Sequence, residues 1–451
     1  EEAVKAYIKD GMTIATNGFV GAVQPEGMMR AIQKSFLEEG TPRDLTLVHA
    51  AGQGGGADAE GNVVGQVNHL GEEGLLKKII AGHYSLAPRI QKLALENKIA
   101  AYNMPQGCIS ELFREIAAHR PGLITHVDPD VEGGMLNDKA REEGSYVKKV
   151  NFNGEDKLFY PSFPIDVALI HASYVDTQGN CSMEEEGTLA DILPIAQAAY
   201  TSGGKVIVTV EKSHYVEYGS LDTRFVQVPG IYIEAIVLVD SDCAKQTNGS
   251  YHNEAFSGEK RIPMSAMEPM KMNARKIIAR RCAMELKAGA VVNLGIGMPE
   301  GVANIVAEEG IEGMVLTTES GTIGGVPASG GDFGVTTNPD TILHQSFQFD
   351  FYDGGGLDLC YLGLAECDPH GSINVSRFGP RIAGCGGFIN ITQCTPKVFF
   401  CGTFTAGGLK VKVEDGKVVI AQEGKNKKFV KSVEQVTFNG DIANKNGQHV
   451  M

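Results

Sequence analysis

The sequence predicts an α/β protein made of two tandem, related open α/β domains. Three observations carry this. β-branched runs ending in glycine turns alternate with helical stretches along the chain. The order helix, Gly, strand, glycine turn, Pro-Glu-Gly, helix occurs at the start and again after residue 272. Matching segments then recur at a constant offset of 192 residues: Ile165–Ile170 against Leu357–Leu362, Asp176 against Asp368, Gly179 against Gly371, and Lys205–Val208 against Lys397–Phe400.

In order, Glu1 to Lys9 reads as an amphipathic helix stopped by Asp10-Gly11, and Met12 to Thr16 as a strand. The turn Asn17 to Gly21 and Pro25-Glu26-Gly27 lead into a helix through Phe36. Pro and Glu suit a helix start, where the missing N–H costs nothing and the dipole favours an acid. Leu45 to Ala51 is the next strand, ending in the loop Gly52-Gln53-Gly54-Gly55-Gly56. The alternation runs to about Ser241, giving a first domain over 1–240. Between 241 and 272 periodicity fades into Ser, Asn, Gly, Lys, Pro and Met, and this stretch reads as a linker. The second domain, 273–451, opens with a helix over Asn273–Lys287, Gly289, a strand over Val291–Leu294 and the turn Gly295 to Gly301.

At 451 residues with 43% hydrophobic and 21% charged content, the chain is a soluble globular protein of two domains. A net charge of −15 argues against nucleic acid and requires that any polyanionic ligand be held by local Lys, Arg and backbone N–H groups. Nine cysteines without a C-x-x-C, no run of 18 apolar residues and no signal peptide imply reduced thiols in a cytoplasmic protein, off the membrane. The eleven histidines are scattered, so no metal site is expected.

One stretch organises the second half. Met314 to Thr318 reads as a buried strand that ends in Glu319, and Ser320-Gly321-Thr322-Ile323-Gly324-Gly325 follows. An acid at a strand's carboxyl end, before glycines, sits where open α/β sheets place ligands. The corresponding strand of the first half carries Ala50 or Ala51 at that point, so the fold does not need the acid and Glu319 is assigned to function. The dinucleotide fingerprint fails, because Glu300 stands where the third glycine belongs, and neither a P-loop nor a G-x-S-x-G is present. Gly384-Cys385-Gly386-Gly387, close to Arg377 and Arg381, clusters backbone donors beside two cations, which suits an oxyanion or phosphate.

Thr318-Glu319-Ser320-Gly321, Tyr352-Asp353-Gly354-Gly355-Gly356, Asn374 to Gly379, Gly384 to Asn390 and, in the first half, Pro105-Gln106-Gly107 resemble the family I CoA-transferases, nearest their single-chain propionate/acetate branch with fused subunits. The resemblance covers essentially the whole chain. It implies an active site at the domain interface and transfer of CoA between short-chain carboxylic acids through an acyl-glutamyl anhydride and a glutamyl-CoA thioester on Glu319. Gln106 joins the catalytic set as a donor with the Gly384, Gly386 and Gly387 amides. Arg377, Arg381 and Gly407 are assigned with these glycines to CoA. CoA and acyl-CoA enter as substrates, no cofactor is tightly bound, and the resemblance suggests a homotetramer or homodimer. Phe351 and Tyr352 are candidate acyl-pocket walls, with core packing the more ordinary role for such residues.

Two departures stand out. The family carries a Gly-x-Gly-Thr-Phe segment where Val127 here runs directly into Asp128, and it continues beyond the position of Met451. The intact surroundings of Glu319 favour omission of these stretches over their loss. Two rival readings remain: an acyl-CoA hydrolase on the same scaffold, and a non-catalytic acyl-CoA sensor. A bare anion beside a polyanionic ligand speaks against the sensor.

Overall fold

Seven short strands form the first sheet of the computed structural model, which describes residues 1–55, 62–63, 65–263 and 269–451. They are β1 (Thr13–Thr16), β2 (Leu45–His49), β3 (Leu76–Ala81), β4 (Ala100–Asn103), β5 (Val167–His171), β6 (Lys205–Glu211) and β7 (Ile233–Val239). All pair in parallel, in the order β7-β6-β5-β1-β2-β3-β4. Every residue of β2 and β5 is buried, as expected for strands covered on both faces. Gly56 of the expected glycine loop and residues 264–268 of the expected linker lie outside the described residues.

The second sheet comprises β8 (Val291–Leu294), β9 (Val315–Thr317), β10 (Thr322–Ile323), β11 (Thr341–Ile342), β12 (Leu359–Gly363), β13 (Lys397–Cys401) and β14 (His449–Val450), ordered β11-β10-β9-β8-β12-β13-β14. Its parallel core, β9-β8-β12-β13, repeats β2-β1-β5-β6 of the first sheet. Side chains repeat with it. Asp166 accepts from the Thr13 amide at 2.7 Å, and Asp358 accepts from the Val291 amide at 2.8 Å. Asp176 gathers the amides of Gln178 and Asn180 just as Asp368 gathers those of His370 and Ser372. The halves diverge beyond β9: where the first sheet adds parallel β3 and β4, the second turns back in antiparallel β10 and β11.

Four helices bring the halves together. They are α1 (Gln106–Ala117), α2 (Ile192–Thr201), α3 (Gln345–Asp353) and α4 (Phe388–Cys394). One continuous core runs from Cys108, Ile109 and Leu112 of α1, through Ile195 of α2, to Phe349 of α3 and Ile389 of α4. The expected linker stretch is folded in its described residues. Glu254–Ser257 is a short helix, Thr247 hydroxyl donates to Asp332, and the Asn338 amide donates to the Ala255 carbonyl at 2.8 Å. Within the first domain Val127 is buried and its carbonyl accepts from the Tyr160 hydroxyl at 2.8 Å.

Candidate active site

Glu319 follows β9 at the carboxyl end of the parallel core, in a turn that only glycine can close. Gly321 has φ +105°, and a Cβ there would lie 2.0 Å from the Leu343 carbonyl oxygen. Beneath the turn the hydroxyls of Thr318, Ser320, Thr322 and Thr336 bond to one another at 2.6–2.7 Å, which holds the backbone from below. The two ladders also settle the counterpart of Glu319. Thr13 pairs with Thr46 and the equivalent Val291 pairs with Val315, so counting forward sets Glu319 against Ala50.

The Glu319 side chain opens into a cavity of about 200 Å³ between the two halves. The first half supplies Phe19, Leu86, His83 and Gln106, and the second supplies Ile296, Phe333, Leu362, Phe388 and the glycines from 384. Among the described residues the Glu319 carboxylate has neither a hydrogen bond nor an ion pair, and neither Lys nor Arg lines the cavity. Burial alone raises its pKa from 4.5 to about 7. Burial, aided by the charge of Arg381, lowers His83 to about 4, so this imidazole is neutral at neutral pH.

The glycine stretch lies across the cavity from the first half's strand ends. The Gly384 amide donates to the Ser376 carbonyl at 3.0 Å, the Cys385 amide to Asn103 at 2.9 Å and the Gly386 amide to the Gly82 carbonyl at 2.7 Å. The first of these bonds stays within the second half and the other two dock it to the first, so none of the three amides is free. The Gly387 amide is different, with no acceptor among the described residues, and a Cβ on Gly387 would lie 3.2 Å from Glu319 Cδ and Cγ. Gln106 stands at the first turn of α1, its amide donating to the Gly386 carbonyl at 2.9 Å and its Nε2 donating to Gln345 Oε1 at 3.1 Å.

The remaining sequence candidates sit further out. Arg377 and Arg381 belong to a small antiparallel pair leading into Gly384, with the Arg381 guanidinium 5.6 Å from the Phe378 ring centre. Neither cation has a carboxylate partner among the described residues. Gly407 is not among the lining residues. It lies in an exposed turn where its carbonyl accepts from the Lys425 amide at 3.1 Å. Phe351 and Tyr352 do not wall the cavity either. Phe351 is 40% exposed elsewhere, and the buried Tyr352 lies under β9, its hydroxyl donating to Thr317 at 2.8 Å. Sequence reasoning missed His83, Asn103 and Gln345, which no motif marks and which only the packing of the two sheets brings here.

Two open α/β halves thus close a cavity over a carboxylate that has neither partner nor neutralising cation among the described residues. The chain belongs to the coenzyme A transferase family, whose pattern its residues 1–238 match. It is 43% identical over 464 residues to the caffeate CoA-transferase of Acetobacterium woodii, covering all of this chain and 86% of that protein. It is 39% identical over 458 residues to the acetate CoA-transferase YdiF of Escherichia coli K12, covering all of this chain and 84% of that protein. The crystal structure of the E. coli O157:H7 acyl-CoA transferase YdiF, a thioester complex with CoA, is similar with a TM-score of 0.88 at 37% identity, over 100% of this chain and 84% of that one. The chain is accordingly an acyl-CoA transferase of the single-chain type. Among the described residues no group of three or more His, Cys, Asp or Glu side chains is arranged to hold a metal ion, and no helix is long and apolar enough to cross a membrane.

Proposed function

We propose that the chain moves CoA between short-chain monocarboxylic acids by a two-stage transfer through Glu319. In the first stage a Glu319 carboxylate oxygen attacks the thioester carbonyl carbon, the C–S bond breaks and CoA leaves as thiolate. That thiolate attacks the glutamyl carbonyl of the resulting anhydride, forming the Glu319–CoA thioester and expelling the first acid as its carboxylate. An acceptor carboxylate then runs both stages in reverse. No proton is consumed, so a neutral His83 is no obstacle.

The single observation that carries this reading is the half-buried Glu319 carboxylate, desolvated in the cavity and without a partner among the described residues. An anion left without partners gains nothing for folding and is more reactive for its desolvation. Charge develops on the thioester oxygen during the attack, and the Gly387 amide, without an acceptor among the described residues, and the second N–H of Gln106 Nε2 are the donors this reading assigns to it. One such donor is worth about 3 kcal/mol. Arg377 and Arg381, unpaired at the approach, are assigned to the phosphates of CoA, and the neutral lining favours an acyl group with no second charge. Gly407 keeps at most a part in holding the distal end of CoA.

A second reading of the acyl group has its own support: Phe19, Phe333 and Phe388 line the cavity, and the relative from A. woodii is a caffeate CoA-transferase. The experiment is competition among acceptors. With acetyl-CoA as donor, propionate, caffeate and succinate are offered together and the new CoA thioesters are quantified. Propionyl-CoA is expected to dominate and succinyl-CoA to be lowest. Dominance of caffeoyl-CoA selects the aromatic reading, and dominance of succinyl-CoA refutes both.

A further inference from the structure

We propose that Asp191 is a positioning residue for the transfer: acting through Gln345, it fixes which way the carboxamide of Gln106 faces. This rests on the reading of Gln106 as a donor to the reacting carbonyl.

Three buried side chains form a line from the interior of the first half to the cavity. Asp191 Oδ2 accepts from Gln345 Nε2, and Gln345 Oε1 accepts from Gln106 Nε2 at 3.1 Å. Asp191, Gln345 and Gln106 are 2%, 1% and 2% exposed, so water does not compete for these bonds. Of the three, only Gln106 lines the cavity.

The line has a direction because its first member does. Burial raises Asp191 to about 7, against the bonds from Ser110 and Gln345 that favour its anion. Above that pH the ionised carboxylate can only accept, so Gln345 turns its nitrogen to Asp191 and its oxygen to Gln106. Gln106 in turn must present its nitrogen to that oxygen. Flipping Gln345 alone would set two acceptors against each other at Asp191 and two donors at Gln106. Flipping both would restore the second contact and still leave the first repulsive. The ionised carboxylate therefore selects one arrangement of Gln106, which spends one N–H on Gln345 and holds its second N–H and its oxygen in fixed directions, whereas the flipped carboxamide would move both N–H groups to where the oxygen now lies.

The segment that carries Asp191 is tied to the site independently. The Thr188 hydroxyl donates to the Ser320 carbonyl at 2.7 Å, one residue from Glu319, and the Ala190 carbonyl accepts from the Gln345 amide at 3.0 Å. Ala190 has φ +46°, a left-handed conformation that is unfavourable for a residue with a Cβ and is held by such contacts. Asp191 also has a bond that does not point toward the cavity, since it accepts from the Ser110 hydroxyl. That bond provides a control.

The test is a set of four variants read by kcat, KM for acetyl-CoA, the single-turnover rate of Glu319–CoA thioester formation, and thermal midpoint. Asp191→Asn offers Gln345 a donor as well as an acceptor, which releases the direction of the line. It is expected to lower kcat and the single-turnover rate about tenfold to a hundredfold, with KM within about twofold. Ser110→Ala, which removes the off-line bond to the same carboxylate, is expected to keep both rates within about twofold. Asp191→Asn/Gln106→Ala is expected to be no slower than Gln106→Ala alone, because both changes act through one group.

Parental kcat in Asp191→Asn overturns the proposal, as does a loss that multiplies with that of Gln106→Ala or that Ser110→Ala reproduces. Parental kcat in Gln106→Ala instead removes the reading on which the proposal rests, so the two failures are distinguishable. If Asp191→Asn does not fold, Gln345→Leu breaks the same line from the second half and carries the same expectations.

Discussion

At the scale of single residues the account turns on an acid that burial makes expensive to ionise. Glu319 is raised to about 7 by desolvation, and the attacking species is the anion. The single-turnover rate of acyl transfer should therefore climb through about pH 7 and level above it. Stability should move the opposite way. The folded protein holds this proton more tightly than the unfolded chain, so Glu319 lowers stability as pH rises from about 4.5, with the full cost present above about 7. Glu319→Gln is thus expected to raise stability at pH 8 by at most about 3 kcal/mol and to change nothing near pH 4.5, as measured by denaturant unfolding at both values. Gly387→Ala sets a methyl group 3.2 Å from the Glu319 carboxyl carbon and should cost on the order of a hundredfold in kcat while the protein stays folded. Glu319 was legible in the sequence because the duplicated half carries alanine at the equivalent point, and Gln106 because it stands in a recognisable Pro-Gln-Gly. Asp191, Gln345 and His83 were not, since each is an ordinary residue for its segment and acquires its neighbours only through the fold.

Among the elements, α1 and α4 do most to set the cavity's geometry, because they meet across the two halves. The Gly107 amide donates to Asn390 Oδ1 at 3.1 Å, and Asn390 Nδ2 donates to Asp353 at 3.0–3.1 Å. A Cβ on Gly107 would lie 2.5 Å from Asn390 Nδ2 and 2.7 Å from Phe349 Cδ1. Gly107→Ala should therefore part the helices, lowering stability by about 1–3 kcal/mol by chemical denaturation and lowering kcat with it. Strand positions were readable in the sequence to within a residue or two, since β2, β8, β9 and β12 are short β-branched or apolar runs closed by glycine or an acid. The helix expected over Asn273–Lys287 forms over Ala274–Ala283, with Asn273 capping the Lys276 amide. Antiparallel β10 and β11 were not foreseen. Two-residue strands have no periodicity to detect, and they form because Gly321 turns the chain back along β9.

For the molecule as a whole, duplication and interface answer different questions. The 192-residue offset was visible because β5 and β12, with their flanking aspartates, are fully conserved in spacing between the halves. Which face of one half meets the other could not be read, because burial of α1 and α3 is set by contact between segments over 200 residues apart. Since one apolar core crosses the boundary, thermal unfolding followed by calorimetry should show a single cooperative transition, and two well-separated transitions would contradict a shared core. The central claim is that Glu319 becomes covalently attached to CoA. Intact-mass spectrometry after incubation with acetyl-CoA tests it most directly. The account predicts one CoA added per chain, located by peptide mapping on the segment holding Glu319, discharged by added acetate and absent in Glu319→Ala. An unmodified chain that nevertheless turns over, or an adduct that survives in Glu319→Ala, would contradict it.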